Sequence, residues 1–131
     1  MTLDSSALIA ILFAEPGYLD IVDQILEADH VRVGAPTLVE TSMVFAGRRR
    51  GKTAGEAGEV VGLVKELGIT VVAFGEAESR IAVEAFQKFG RGRHKAALNF
   101  GDCLAYASAT AAGDTLLFVG NDFRKTDIDP A

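Results

Sequence analysis

Short apolar runs alternate with longer amphipathic stretches along this chain, and the alternation predicts strands feeding helices. Met1-Thr2-Leu3 and Leu116-Leu117-Phe118-Val119-Gly120-Asn121 are apolar enough for strands covered on both faces. Val31-Arg32-Val33 and Ile69 to Phe74 read as two more. Ser5 to Phe13 predicts a helix stopped by Glu15-Pro16-Gly17. Tyr18 to Ala28 predicts a second, with Leu19, Ile21, Val22, Ile25 and Leu26 on its apolar face. Pro36, at a first helical position, opens a third that closes at Arg48-Arg49-Arg50-Gly51-Lys52. Thr53 to Leu67 follows, weakened by Gly55, Gly58 and Gly62 and ended by Gly68. Glu76 to Phe89 is the next helix, with Ile81, Ala82, Ala85, Phe86 and Phe89 facing inward. The last opens near Asn99, a capping residue, with Gly101 supplying backbone freedom. From Cys103 to Ala112 its residues are small or apolar, which predicts burial on most of its circumference. Strands alternating with helices imply one α/β domain over residues 1–131, a mainly parallel sheet with helices on both faces.

Composition agrees with a packed core: 131 residues, 49% hydrophobic and 24% charged, exclude a disordered chain. The longest apolar run, Ala7 to Ala14, is too short to cross a bilayer, and no basic leader precedes it. A single cysteine, Cys103, cannot form an internal disulfide and reads as a small core residue. These features lead us to expect a cytoplasmic protein without a membrane partner. A net charge of −5 argues against broad, charge-driven nucleic-acid binding. It leaves room for a nuclease whose acids are metal ligands, because a bound cation inverts the local sign.

Four acids stand out because they lie on apolar elements. Asp102 sits at the start of the buried last helix. Asp4 and Asp122 come directly after the apolar runs at the two ends of the chain, which places them at the carboxyl edge of a sheet, where ligand sites collect. Glu40 shares a helical face with Pro36, Met43, Val44 and Gly47. A buried carboxylate is costly without a partner, and no Lys or Arg is equally placed, so a divalent cation is the expected one. Each acid also has a plainer role open to it. Asp4 before Ser5-Ser6 can cap a helix, Asp122 in Gly120-Asn121-Asp122 can make a turn, and Asp102 can complement a helix N-terminus. Oxygen ligands without a Cys/His set point to Mg²⁺ or Mn²⁺ rather than zinc.

Asp4-Ser5-Ser6-Ala7-Leu8, Pro36-Thr37-Leu38-Val39-Glu40, the block Asn99 to Ala107, and Gly120-Asn121-Asp122-Phe123 with Thr126-Asp127-Ile128 resemble the blocks of a PIN-domain ribonuclease. More narrowly they resemble the VapC toxins of bacterial toxin–antitoxin pairs, in order and spacing from the first residues to the last. The resemblance implies a PIN-like three-layer α/β/α fold and a Mg²⁺-dependent endoribonuclease, with Mn²⁺ as a substitute. It carries over Asp4, Glu40, Asp102 and Asp122 as catalytic and metal-binding residues. Asp4 and Asp102 are expected as direct ligands, Asp122 as a further or outer carboxylate, and Glu40 as holder or activator of water. Ser6, Asn121 and Asp127 are expected to support the site by hydrogen bonding. The implied substrate is structured RNA of the tRNA or rRNA class, and the implied partners are a VapB-like antitoxin and a second copy of the toxin.

Gly90-Arg91-Gly92-Arg93-His94-Lys95 reads as a basic loop just before the Asp102 helix. Arg91, Arg93 and Lys95 could position RNA phosphates beside the acids, or the loop could simply be solvated surface. His94 could stack on a nucleotide or stand idle. Other classes fit less well. A dehalogenase-like phosphotransferase needs a second acid where Ser6 stands, and a receiver domain needs a phospho-acceptor after Ile69 to Phe74. A catalytically inactive PIN-like RNA- or protein-binding module is the alternative, separated from a nuclease by divalent-metal binding.

Overall fold

The computed structural model describes residues 1–49 and 56–131. The strands are β1 (Thr2–Leu3), β2 (Arg32–Gly34), β3 (Thr70–Val72) and β4 (Leu116–Leu117). The helices are α1 (Ser5–Leu12), α2 (Tyr18–Glu27), α3 (Ala35–Arg48), α4 (Glu56–Glu66), α5 (Glu76–Phe89) and α6 (Phe100–Ala112), with a 3₁₀ turn at Phe123–Lys125. All pairings among the four strands are parallel, in the order β3-β2-β1-β4. From β1 the chain moves outward on one side to β2 and β3, and later returns to add β4 on the other. β1 and β4 therefore flank the point where strand order reverses, which is where crevices open at the carboxyl edge of such sheets.

Strand alternation divides the core into layers. Leu3, Val33 and Leu117, aligned across three strands, pack with Leu8, Ile21, Ile25 and Val64 of α1, α2 and α4. Leu116 turns the other way, against Ala85, Phe89, Ala105 and Ala109 of α5 and α6. Ile9, Phe45 and Val60 join α1, α3 and α4 in a smaller cluster. At the amino edge of the sheet, Arg32 Nη1 donates to both Asp114 oxygens at 2.8 and 2.7 Å, and the Thr2 hydroxyl donates to the same carboxylate at 2.8 Å.

Several details depart from the sequence expectations. β4 ends at Leu117, and Phe118 to Asp122 bends away instead of extending the strand. On α2 only Ile21 and Ile25 are buried, while Leu19 and Leu26 are 60% and 66% exposed. On α3 the covered positions are Thr37, Thr41 and Phe45, and Met43, assigned to the Glu40 stripe, is exposed. On these two helices the buried positions recur every four residues, a narrow stripe whose edges stay exposed. Phe86 is likewise exposed on α5, whereas Ala82, Ala85 and Phe89 face inward as expected. The expected helix start at Thr53 and the cations Arg50 and Lys52 fall outside the described residues.

Candidate active site

The carboxyl edge collects the acids because each element ends or begins there. Asp4 comes directly after β1 and caps α1: its Oδ2 accepts from the Ser6 amide at 3.0 Å and the Ser6 hydroxyl at 2.5 Å. Ser6 Oγ in turn accepts from the Val119 amide at 2.9 Å, tying the segment after β4 to the start of α1. The other Asp4 oxygen, Oδ1, is buried with no hydrogen-bond partner among the described residues. The capping role and the chemical candidacy of Asp4 thus use different oxygens of one carboxylate.

α6 runs antiparallel to the strands before leading into β4, so its N-terminus arrives at the same edge. Asn99 is its cap as expected: its Oδ1 accepts from the Asp102 amide at 2.9 Å, and Asp102 Oδ2 accepts from the Asn99 amide at 2.8 Å. This reciprocal box holds the carboxylate at the helix mouth. Glu40, on the second turn of α3, reaches across to Gly101. Gly101 lies in ordinary helical backbone, and its value is space rather than an unusual angle: a Cβ there would be driven into the Glu40 carboxylate. Among the described residues, Glu40 Oε2 is a second buried oxygen of the site without a partner.

Asp4, Glu40, Asp102 and Asp122 line one cavity of about 280 Å³, together with Ser5, Ser6, Asn99 and Val119. Burial raises the Asp4 carboxyl above its ordinary value, against the pull of the Ser6 hydrogen bonds. Burial and then the Asp4 charge raise Glu40. Burial, with the charges of Asp4, Asp122 and Glu40 adding to it and the Asn99 amide hydrogen bond opposing it, raises Asp102 to about 6. Three carboxylates that resist ionising together, two with orphaned buried oxygens, form a donor set that suits a hard cation. Among the described residues, no three acidic, histidine or cysteine side chains already stand close enough together to enclose an ion. The acids surround a cavity instead. Asp122 is the most solvated of the four, with Lys125 Nζ 3.5 Å away.

Arg48 was missed by the sequence reading, which found no cation placed like the acids. It lines the same cavity, pairs with Glu15 at 2.8 Å and lies over the Phe13 ring. The signal was present: Glu40, Val44 and Arg48 recur every four residues and all reach the cavity. Of the expected supporting residues, Ser6 touches Asp4 directly. Asn121 is exposed outside the cavity lining, and Asp127 accepts from Tyr106 at 2.7 Å and pairs with Lys88 at 2.5 Å, away from the acids. The basic loop borders a neighbouring apolar groove rather than the acid cavity, with Arg91 in its wall. His94 is used inside the loop, where its Nδ1 accepts from the Ala96 amide and its ring meets Phe89 edge-on. Cys103 is buried as expected, and burial, with the Asp102 charge adding to it, pushes its thiol up, away from nucleophilic thiolate.

A parallel α/β/α sandwich with carboxylates gathered at its switch point defines a class, and the PIN-domain profile matches residues 1–129. The chain belongs to the PIN-domain family and, within it, to the VapC group. It is 38% identical to Ribonuclease VapC36 of Mycobacterium tuberculosis, over 98% of this chain and 91% of that one. It is 37% identical to Ribonuclease VapC30 of the same species, over 98% and 95%. Among solved structures, the fold resembles M. tuberculosis VapC20, described as a sarcin–ricin-loop-cleaving toxin (TM-score 0.77, 16% identity, 99% and 97% coverage). It also resembles VapBC2 from Rickettsia felis bound to a promoter DNA fragment (TM-score 0.70, 13% identity, 99% and 96% coverage).

Proposed function

We propose that this chain is a divalent-metal-dependent endoribonuclease, the toxin of a VapBC-type toxin–antitoxin pair. One observation carries the chemistry: four carboxylates from separate segments of the chain line one cavity, and buried oxygens of Asp4 and Glu40 have no hydrogen-bond partner among the described residues. Family membership supports the reaction class, since the curated relatives are named ribonucleases. Asp4 and Asp102 would hold Mg²⁺ or Mn²⁺, with Asp122 as a further or outer carboxylate. When bound, the cation supplies an activated water and offsets charge on the departing oxygen. Glu40, whose buried Oε2 has no hydrogen-bond partner among the described residues, would orient the attacking water and accept its proton. Ser6 fixes the Asp4 rotamer, the Asn99 box fixes that of Asp102, and Gly101 leaves room for Glu40. Arg48, a cation in the cavity lining, would be available to an RNA phosphate in exchange for Glu15.

The substrate we propose is structured RNA of the tRNA or rRNA class, with a VapB-like antitoxin blocking the site. The exposed apolar side chains Leu19, Leu26, Val39 and Met43 on α2 and α3 offer area for that antitoxin or for a second copy of the chain. Expression of the chain alone should arrest bacterial growth, with relief by its antitoxin and none of the arrest from Asp102→Asn. Purified protein should cut RNA with Mg²⁺ and stop with EDTA. Folded protein that cuts no RNA across tRNA and rRNA pools with Mg²⁺ or Mn²⁺ would favour the inactive module instead.

A further inference from the structure

A cavity larger than the acidic one lies beside it. A groove of about 550 Å³ opens between α5 and α6, walled by Val83, Phe86, Leu98, Phe100 and Leu104, with Arg91 at its edge. It lies next to the acid cavity, because Asn99 lines both. Phe100 is the first residue of α6, two positions from Asp102, yet its ring is 82% exposed. That is an expensive place to leave a phenyl ring without a partner. Phe86, 43% exposed, stands on the opposite wall, and its ring is pressed against the Gly90 backbone, where a Cβ would collide with it. The Arg93 guanidinium covers that ring at 5.0 Å from its centroid. No acid among the described residues lines the groove, in a chain whose net charge is −5.

Exposed aromatic rings with arginines at the rim, beside carboxylates suited to phosphodiester chemistry, match the way single-stranded nucleic acid is held. Bases stack on rings while cations meet the backbone. We propose that this groove is a subsite for an unstacked RNA base next to the cut phosphate, with Phe100 as its platform and Arg91 meeting the adjoining phosphate. It deepens the nuclease reading and rests on it. Arg91 makes no ion pair with a described residue, so it is available to an RNA phosphate. A protein segment would also find apolar surface here, but contiguity with the acids and the positive rim favour the base. A base in this groove would leave its own phosphate at the mouth of α6, facing the acid cavity.

The test uses the full chain without metal and a single-stranded oligoribonucleotide carrying one 2-aminopurine, whose fluorescence is quenched on stacking. The parent should quench it, and Phe100→Ala should weaken binding roughly 5- to 150-fold, the range for losing one stacked base. Phe100→Trp should restore stacking and Phe100→Leu should not. Arg91→Ala should lower the salt slope by about one. With Mg²⁺ present, Phe100→Ala should raise KM for RNA cleavage and leave kcat nearly unchanged. A parent that quenches the probe but cuts no RNA supports the base subsite while overturning the nuclease reading. A parent that cuts RNA, with Phe100→Ala matching it in quenching and KM, overturns the subsite. Equal behaviour of the Leu and Trp variants also overturns it, and marks the groove as an apolar docking surface for protein.

Discussion

Asp102 serves two masters, since its Oδ2 closes the cap of α6 while its charge faces Asp4, Glu40 and Asp122. Helix stabilisation and metal candidacy, alternatives on sequence grounds, coexist in one side chain. Asp102→Asn keeps an oxygen for the Asn99 amide and removes a charge from a repelling group. The metal-free variant should therefore melt at or above the parent temperature, and should lose most of the Mg²⁺-induced rise and RNA cleavage by orders of magnitude. Paired thermal melts decide it, because a lower metal-free melt with a full Mg²⁺ response would make Asp102 purely structural. Gly101→Ala tests the neighbouring contact. Alanine favours a helix by about 1 kcal/mol over glycine, but its methyl would push the Glu40 carboxylate aside. We expect cleavage to fall at least about tenfold with little change in melting temperature, tenfold being about 1.4 kcal/mol of lost transition-state stabilisation. In a Glu40→Ala background the same change should raise stability by about 1 kcal/mol, since the obstacle is gone.

At the scale of elements, the two edges of the sheet have opposite work. The carboxyl edge gathers acids that repel, whereas the amino edge closes with Arg32, Thr2 and Asp114. Burial pushes the Asp114 carboxyl up, but hydrogen bonds from Arg32 and Thr2 outweigh it and hold the group below its ordinary value. A lowered folded value contributes stability above the unfolded value of 3.8 that is lost as pH falls through the folded one. Asp114→Asn should cost about 1–3 kcal/mol at neutral pH, because it strands a partly buried Arg32. It should also blunt the loss of stability below about pH 4. Urea melts across pH measure both. Cleavage by the folded variant should stay at the parent level, because this bridge lies at the edge away from the acids.

For the whole molecule, the site's repulsion should show in the pH dependence of the metal-free protein. Burial places Asp4, Glu40 and Asp102 above their unfolded values, Asp102 at about 6 against 3.8. Between about pH 4 and 6 the folded state then holds more protons than the unfolded chain, so these groups make stability fall as pH rises through that window. A cation bound only by the folded state should reverse the loss, adding about 2.7 kcal/mol at a hundred times its dissociation constant. Melting curves at pH 5 and 7, with and without Mg²⁺, should show the larger metal-induced rise at pH 7. An equal rise at both values would mean that the cation binds elsewhere.

Much of this was legible in the chain. Apolar runs ending in Asp4 and preceding Asp122, together with the Pro36 and Asn99 helix starts, placed the α/β alternation and the four acids. Strand–helix order forces one edge of a parallel sheet to collect the residues just beyond its strands. Helix bounds such as Glu76–Phe89 were readable because caps and periodicity are local. The tertiary structure decided what is not local. Which stripe of α2 and α3 is covered depends on what each helix packs against, and Leu19 and Met43 show the consequence. Whether a basic side chain reaches the acids depends on packing across elements: Arg48 arrives while the Arg91 loop meets the groove instead. Gly101 beside Glu40, residues far apart in sequence, is the clearest case, since only the crossing of α3 and α6 gives the missing Cβ its meaning. Residue types and order carry the fold class and the chemistry, and distances between helices decide which oxygens are left without partners.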